Sequence, residues 1–526
     1  MNQLITKTIG DCLLERAKQT PDSIGVSDCK YSYTWNEVQR LSDLIAIDFL
    51  KRGIKKGTHV AIWAVNSCHW VISYLALMKI GAVSILINTC YKKNELEKVL
   101  QYADIEFLLY GEEGKIISHT EILAYMDLSQ FSFLKEIIPL SFYDDYDAES
   151  SENDSVLLED KKKLVSPFDT ASVLFTSGTT SMPKGVLLSH YSLINNSLEI
   201  VKQMHWNSED RMCISVPLFH CFGITAGILS CIHSGASFYL VKYYKTIYVL
   251  KEIEKHRCTI LNGVPTMFMA LVRNKERENY DVSSIKSGVI AGSEIKQKDY
   301  INICSELGLH YLQTSYGQTE SSPCITISQY EDSTECKSLT AGKVISNIEV
   351  KVWKEENKCV CEPEESGEIL TRGYHVMQGY YKLSEETRKT IDEEGWLHTG
   401  DIGYLDKNGY LHVTGRKKDI IIRGGENICP CEIENCIMQL PFIQQVKVIG
   451  IKADVLQEEI VACIIMKPNT KLNKQEIQNF VKENLADYKV PKYIFEFEEF
   501  LLTSSGKIRI NELRSQIDKR IEDKED

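Results

Sequence analysis

Residues 174–186 read LFTSGTTSMPKGV. A run of hydroxyl residues, two glycines and a lysine is the composition of a loop that wraps phosphate. It is not a P-loop, which places glycine directly before the lysine and Ser or Thr directly after it. Here Pro183 precedes Lys184 and Gly185 follows it. The backbone N–H groups about Gly178 and the hydroxyls of Thr176, Ser177, Thr179 and Thr180 could cradle the oxygens of a polyphosphate. Lys184 adds a compact positive charge. No hydroxyl follows the lysine to hold a divalent cation, so a metal ligand has to come from elsewhere.

A loop of this kind needs a strand to end on. SVLFT, 172–176, reads as a buried strand, and its C-terminal end is where ligands sit in open α/β sheets. The same rhythm of short apolar strands and helical stretches runs through HVAIWAV, AVSILIN and IEFLLY, and again through ASVLFTS, MCISVPL, SFYLV, CTILNGVP and SGVIAGS. Strands alternating with helices predict βαβ units and largely parallel sheets. The two runs predict two doubly wound halves. Between them YDDYDAESSEND, 143–154, reads as a mobile acidic surface loop. After about residue 340 the texture becomes β-rich, with a hairpin expected at Asn408-Gly409. KKDIIIRGGENICPCEIENCI, 417–437, predicts a strand, a Gly-Gly loop and a helix opened by Pro430. The expected architecture is α/β: a large N-terminal domain of two doubly wound βαβ halves plus a β-rich subdomain, and a small mobile α+β C-terminal domain.

The 526 residues carry a formal charge of −13 and 17 scattered cysteines. That charge argues against a general binder of nucleic acid or anionic membrane. The cysteines make no CxxC pair. Cys359/Cys361 and Cys429/Cys431 are CxC pairs without zinc-site spacing, so free, buried thiols in a reducing cytoplasm are expected. The N-terminus lacks a signal-peptide apolar core, and Thr8 with Asp11 marks a capping box. The apolar stretch 70–87, broken by Lys79 and Gly81, reads as a helix and a buried strand rather than a membrane span.

FTSGTTSMPKGV closely resembles the phosphate loop of the adenylate-forming superfamily, which spans acyl- and aryl-CoA synthetases, luciferases and adenylation domains. SYGQTE at 315–320, GWLHTGD at 395–401, GRKKD at 415–419 and SSGKI at 504–508 follow in the family's order. The resemblance covers essentially the whole chain. It implies an enzyme that joins a carboxylate to AMP, releases pyrophosphate and exchanges AMP for a thiol, with ATP, Mg²⁺ and coenzyme A as cofactor and co-substrates. It implies domains at 1–416 and 417–526 with a hinge near Lys418. Lys507 resembles the catalytic lysine that bridges carboxylate and α-phosphate. Glu320 resembles the Mg²⁺ ligand, Thr319 an α-phosphate contact, and Tyr316 with Gly317 the adenine flank. Gly292, Ser293 and Glu294 resemble the segment along the adenine. Asp401 resembles the ribose acceptor, with Arg416 a second ribose contact. Gly424 and Gly425 would face an entering pantetheine arm. Two positions depart from the pattern. Ser181 stands where glycine is usual, and a left-handed backbone there would cost serine about 1 kcal/mol. Ile422 stands where some relatives place a lysine, with Arg423 next.

Substrate choice is expected in PLFHCFGITAGIL and SYGQTESSPCIT. His220 resembles the histidine that gates the acyl pocket. Cys221, Phe222, Ile224, Gly227 and Cys324 would give a mostly apolar lining. The absence of an acid in LFHCFG speaks against an amino acid substrate, and Cys221 in place of asparagine weakens a hydroxybenzoate reading. IIRGGENICPCEIE looks most like medium- or long-chain fatty acyl-CoA ligases. The resemblance leaves three readings: an acyl-CoA synthetase, a ligase loading an acyl or aryl group onto a carrier-protein phosphopantetheine, and a silent ATP- or acyl-binding protein. Chain length, oligomeric state and pathway are not in the sequence.

Overall fold

The computed structural model describes residues 3–111, 118–144, 151–176, 183–423, 426–453, 457–503 and 508–525. The chain divides into two compact units. The first holds 1–349 and 371–397, the second 350–370 and 398–526.

Two large sheets form the first unit. One is seven-stranded, in the order Gly379–Tyr380, Lys184–Ser189, Thr170–Thr176, Val83–Leu86, His59–Trp63, Phe107–Tyr110, Glu136–Pro139. Its central strands are parallel. The other is nine-stranded, in the order Lys343–Val344, Cys324–Ile327, Tyr311–Gly317, Ser287–Ala291, Ile260–Leu261, Arg211–Ile214, Ser237–Leu240, Ile24–Ser27, Ser32–Thr34. The expected α/β class is therefore present, but the runs divide differently. ASVLFTS joins the first sheet, not the second, because Thr170–Thr176 pairs in parallel with Val83–Leu86. It also pairs antiparallel with Lys184–Ser189, so the phosphate-type motif links two neighbouring antiparallel strands.

Helix Cys68–Ile80 shows why 70–87 is core. Every residue of it is buried, and Gly81 at φ +70° ends it before strand Val83–Leu86. Among the described residues no helix is long and apolar enough to cross a membrane. Lys79 is buried with the rest. Its ammonium donates to the Gln39 carbonyl and side chain, to Ser42 and to Asp43 of helix Trp35–Lys51. A buried charge persists only when paired in this way. At the N-terminus the Thr8–Asp11 capping box opens helix Ile9–Gln19. The acidic stretch is not all loop: Ser151 and Asp154 form another capping box, which starts helix Glu152–Lys162. Residues 145–150 of it lie outside the described residues.

In the second unit one sheet runs Cys359–Val360, Ile348–Lys354, Gly367–Gly373, Leu397–Leu405, Leu411–Arg416, the ends of three strands belonging to the first unit. The hairpin expected at Asn408-Gly409 is present, with Gly409 at φ +80°. A second sheet runs Glu426–Ile428, Ile421–Arg423, Gln457–Met466, Ile443–Ala453, with Tyr493–Glu496 beside Gln457–Met466. Pro430 occupies the first turn of helix Pro430–Ile437, as expected. The strand Glu426–Ile428 ahead of that helix is one the sequence pattern did not suggest.

Candidate active site

In the first unit the hairpin brings Thr176 opposite Lys184, and the Thr176 hydroxyl donates to the Lys184 carbonyl at 3.4 Å. Ser177, Gly178, Thr179, Thr180 and Ser181 lie outside the described residues. Lys184 projects its ammonium over the Tyr380 ring, 4.8 Å from the centroid, and onto Glu386 at 2.8 Å. Glu386 lies in helix Ser384–Thr390. The Lys184 hydrogen bond, and then Lys389 beside it, hold its carboxyl below the usual range. Tyr380 pairs in register with Val186, while its hydroxyl donates to Glu320 at 2.9 Å. Burial, then the Glu320 charge, pushes the phenol's pKa up and keeps it a donor. One tyrosine thus touches both the candidate phosphate cation and the candidate metal carboxylate.

Thr319 and Glu320 sit in a 3₁₀ turn after strand Tyr311–Gly317, closed by the Ser321 hydroxyl. A Cβ on Gly317 would fall 1.7 Å from the Pro323 carbonyl oxygen, so only glycine fits there. Strands Ser287–Ala291 and Tyr311–Gly317 run parallel with Ala291 opposite Ser315. Gly292, Ser293 and Glu294 therefore leave the same sheet edge as Tyr316, and all three are exposed.

His220 ends a turn, and its carbonyl accepts from Gly223 and Ile224. Gly223–Leu229 is a π-helix, a form that recurs at functional sites. It includes Ile224 and Gly227. Cys221, Ile224 and Cys324 are buried, and Phe222 packs on the same core. Burial pushes the Cys221 thiol up to about 12; Thr225 pulls it down and the Glu320 charge adds to the rise. The Glu320 charge therefore acts on a thiol of the apolar segment. Two buried asparagines fix this arrangement. Asn66 holds the Val216 carbonyl and the Leu218 N–H ahead of His220. Asn262 donates to the Ala226 carbonyl in the π-helix and accepts from Val289 in the neighbouring strand.

In the second unit Asp401 and Arg416 face each other across the hairpin, with Arg416 Nε 2.7 Å from Asp401 Oδ1. The Asp401 side chain is 5% exposed. Glu368 accepts from the Gly400 N–H, meets His398 at 3.3 Å and accepts from Lys417 at 3.1 Å. Burial raises its pKa, but His398 and Lys417 outweigh it and leave the carboxyl below the usual range. Lys418 is exposed in a one-turn 3₁₀ segment, Lys417–Asp419. Gly424, Gly425 and Lys507 lie outside the described residues. Arg423, beside the departing Ile422, is bound to Glu459 and the Tyr488 carbonyl.

Sequence reasoning missed Tyr380, Glu386, Asn66, Asn262 and Glu368. None lies in a phosphate- or metal-type motif, and their partners are remote in the chain. Only the periodic pairing of Gly379–Tyr380 on Val186 and Leu187 makes Tyr380 a neighbour of Lys184.

The first unit thus gathers a lysine on the strand after the phosphate-type motif, a carboxylate held by Tyr380 and a buried apolar segment. The chain belongs to the AMP-binding enzyme family, whose model matches residues 13–381; the AMP-binding enzyme C-terminal domain matches 432–507. Within it the protein is an adenylate-forming enzyme of the acyl-CoA synthetase group. It is 36% identical to the putative acyl-CoA synthetase YngI of Bacillus subtilis, over 98% of each chain. It is 31% identical to the mitochondrial medium-chain acyl-CoA ligase ACSF2 of Macaca fascicularis, over 99% of this chain and 88% of that one. The o-succinylbenzoate coenzyme A synthetase of Bacillus subtilis, solved with ATP and a magnesium ion, superposes with a TM-score of 0.81 at 27% identity, over 97% of this chain and 99% of that one.

Proposed function

We propose that the protein activates a fatty acid as its acyl-adenylate, with release of pyrophosphate, and then forms the acyl-CoA thioester. The observation that supports this most is the chain of contacts Glu386–Lys184–Tyr380–Glu320. Glu386 presents carboxylate oxygens to Lys184 as a phosphate would. Glu320 offers hard oxygen ligands of the kind Mg²⁺ takes, so the residues present fit that ion. The ion would draw charge from the phosphate oxygens. In this reading Lys184 and the hydroxyls of 176–180 hold the departing pyrophosphate, Thr319 touches the α-phosphate, and Lys507 neutralises the charge that grows as the carboxylate attacks. Asp401 and Arg416 take the ribose hydroxyls. His220 gates the apolar lining of Cys221, Phe222, Ile224, Gly227 and Cys324. A hinge near Lys418 separates 1–416 from a mobile 417–526, and Gly424-Gly425 lets a pantetheine arm approach. The fatty acid follows from that lining and from the medium-chain ligase among the relatives; the working compartment in this reading is the cytoplasm.

The test is carboxylate-dependent ATP–pyrophosphate exchange without CoA, over straight-chain, branched, aryl and amino acids. Exchange with straight-chain acids, followed by thioester formation on adding CoA, is the expected result. Exchange with an aryl acid alone would overturn the substrate class. Thioester formed on a carrier protein but not on CoA would overturn the acceptor.

A further inference from the structure

Of the two CxC pairs, Cys429/Cys431 is built unlike the other. Its sulfurs lie 3.1 Å apart, closer than unbonded sulfurs ordinarily approach. Both thiols donate to one acceptor, the Thr414 carbonyl, Cys429 at 2.6 Å. Cys361, in contrast, donates to Ser366, and Cys359 is exposed. Cys429 is the N-cap residue of helix Pro430–Ile437 and Cys431 lies in its first turn. Neither is buried outright. All 17 cysteines are unbridged. A metal is a poor match for two thiols and a carbonyl, since a structural zinc takes four ligands. Among the described residues no group of three or more His, Cys, Asp or Glu could hold one.

We propose that Cys429 and Cys431 form a thiol–disulfide exchange site that takes a low-molecular-weight disulfide as its oxidant. The Cys429 thiolate attacks one sulfur of that disulfide and expels the other as a thiol, which takes up the proton Cys429 has lost. Cys431 then attacks the mixed disulfide at Cys429 and expels the second thiol. Two S–H bonds become one S–S bond in the protein, and one S–S bond becomes two S–H bonds in the oxidant. The pair needs only to close from 3.1 Å to about 2 Å. The environment suits an attacking sulfur. Once Cys429 has lost its proton, the Cys431 S–H can turn from Thr414 to it; this hydrogen bond, and then the helix N–H groups of Cys431 and Glu432, bring the Cys429 thiol down to about 7 against the effect of burial. Burial instead pushes the thiols of Cys12, Cys221, Cys324 and Cys463 up to about 12. Closing the bond withdraws both S–H donors from Thr414, a contact between strand Leu411–Arg416 and the start of helix Pro430–Ile437.

The experiment is incubation of the full chain with oxidised glutathione at neutral pH, alkylation, digestion and peptide mass mapping, with dithiothreitol reversal. The expected result is a peptide shortened by two hydrogens, with the bond between Cys429 and Cys431, formed at least about tenfold faster than any change at Cys359/Cys361. Cys431→Ser should trap glutathione on Cys429. The proposal fails if Cys429 and Cys431 remain dithiol while the exposed Cys29 and Cys359 have taken up glutathione. It also fails if the bond formed joins Cys436. The wild-type measurement needs no variant to fold, and it is independent of which acid the enzyme activates.

Discussion

Tyr380 is the residue on which the proposed chemistry converges in the first unit. Its hydroxyl orients Glu320 and its ring lies under Lys184. Tyr380→Phe keeps the ring and removes only the donor. Carboxylates that bind metals rely on such outer hydrogen bonds, and losing one costs about tenfold in metal affinity. The apparent KM for Mg²⁺ in pyrophosphate exchange should rise by about that factor, with the thermal transition unmoved. Superimposable Mg²⁺ titrations for variant and wild type would show that Glu320 needs no orientation. Lys507→Ala belongs to the same scale. Removing one preorganised charge from a developing anion costs on the order of 10²- to 10³-fold. Acyl-adenylate formation should drop by that factor while ATP binding persists; adenylation at the wild-type rate would remove Lys507 from the site.

Helix Ser384–Thr390 enters the chemistry through one side chain. Glu386 occupies Lys184 at 2.8 Å, so a polyphosphate must displace it to use the same ammonium. Affinity falls in proportion to the fraction of binding-competent protein. Glu386→Gln leaves an amide that competes weakly for a cation. Binding of pyrophosphate and of ATP, measured by calorimetry without acid or CoA, should tighten about threefold. Weaker binding would mean that Glu386 poses Lys184 for the nucleotide rather than occupying it. The sequence could not announce this contact. Lys184 lay in a recognisable motif, and the strands on either side of it were readable from their apolar runs. Glu386 looked like one acid in an exposed, charged helix, because nothing local records a pairing 202 positions away. Asn66 and Asn262 were silent for the same reason: a buried amide reads in sequence like a surface one until its backbone partners are known.

At the scale of the whole chain, what was legible was what short-range pattern controls. Alternating strands and helices declared α/β, Asn408-Gly409 declared its hairpin, and Thr8 with Asp11 declared a helix start. Sheet membership was not legible, since Thr170–Thr176 is as apolar as the strands it was grouped with and only tertiary pairing puts it beside Val83–Leu86. Lys79 was legible as an interruption, but its burial was not. Its ammonium is held by Gln39, Ser42 and Asp43, and Asp43 also meets Lys162 at 2.9 Å. Three helices thus share one charge cluster in the first unit. Burial strips water from the Lys79 ammonium and brings its pKa down from 10.5 to about 8, against the pull of Asp43. The folded chain therefore gives up this proton before the unfolded chain does. Below pH 8 both states carry it and the cost of the buried charge is present in full. From pH 8 to 10.5 the unfolded state binds more protons, so stability rises with pH through that window. The gain approaches about 3 kcal/mol for a shift of this size. Lys79→Met keeps the length of the side chain and removes the titration. The difference in unfolding midpoint, wild type minus Lys79→Met, should therefore grow between pH 7.5 and pH 10. A difference that stays flat would mean that the ammonium is held as firmly by Gln39, Ser42 and Asp43 as by water.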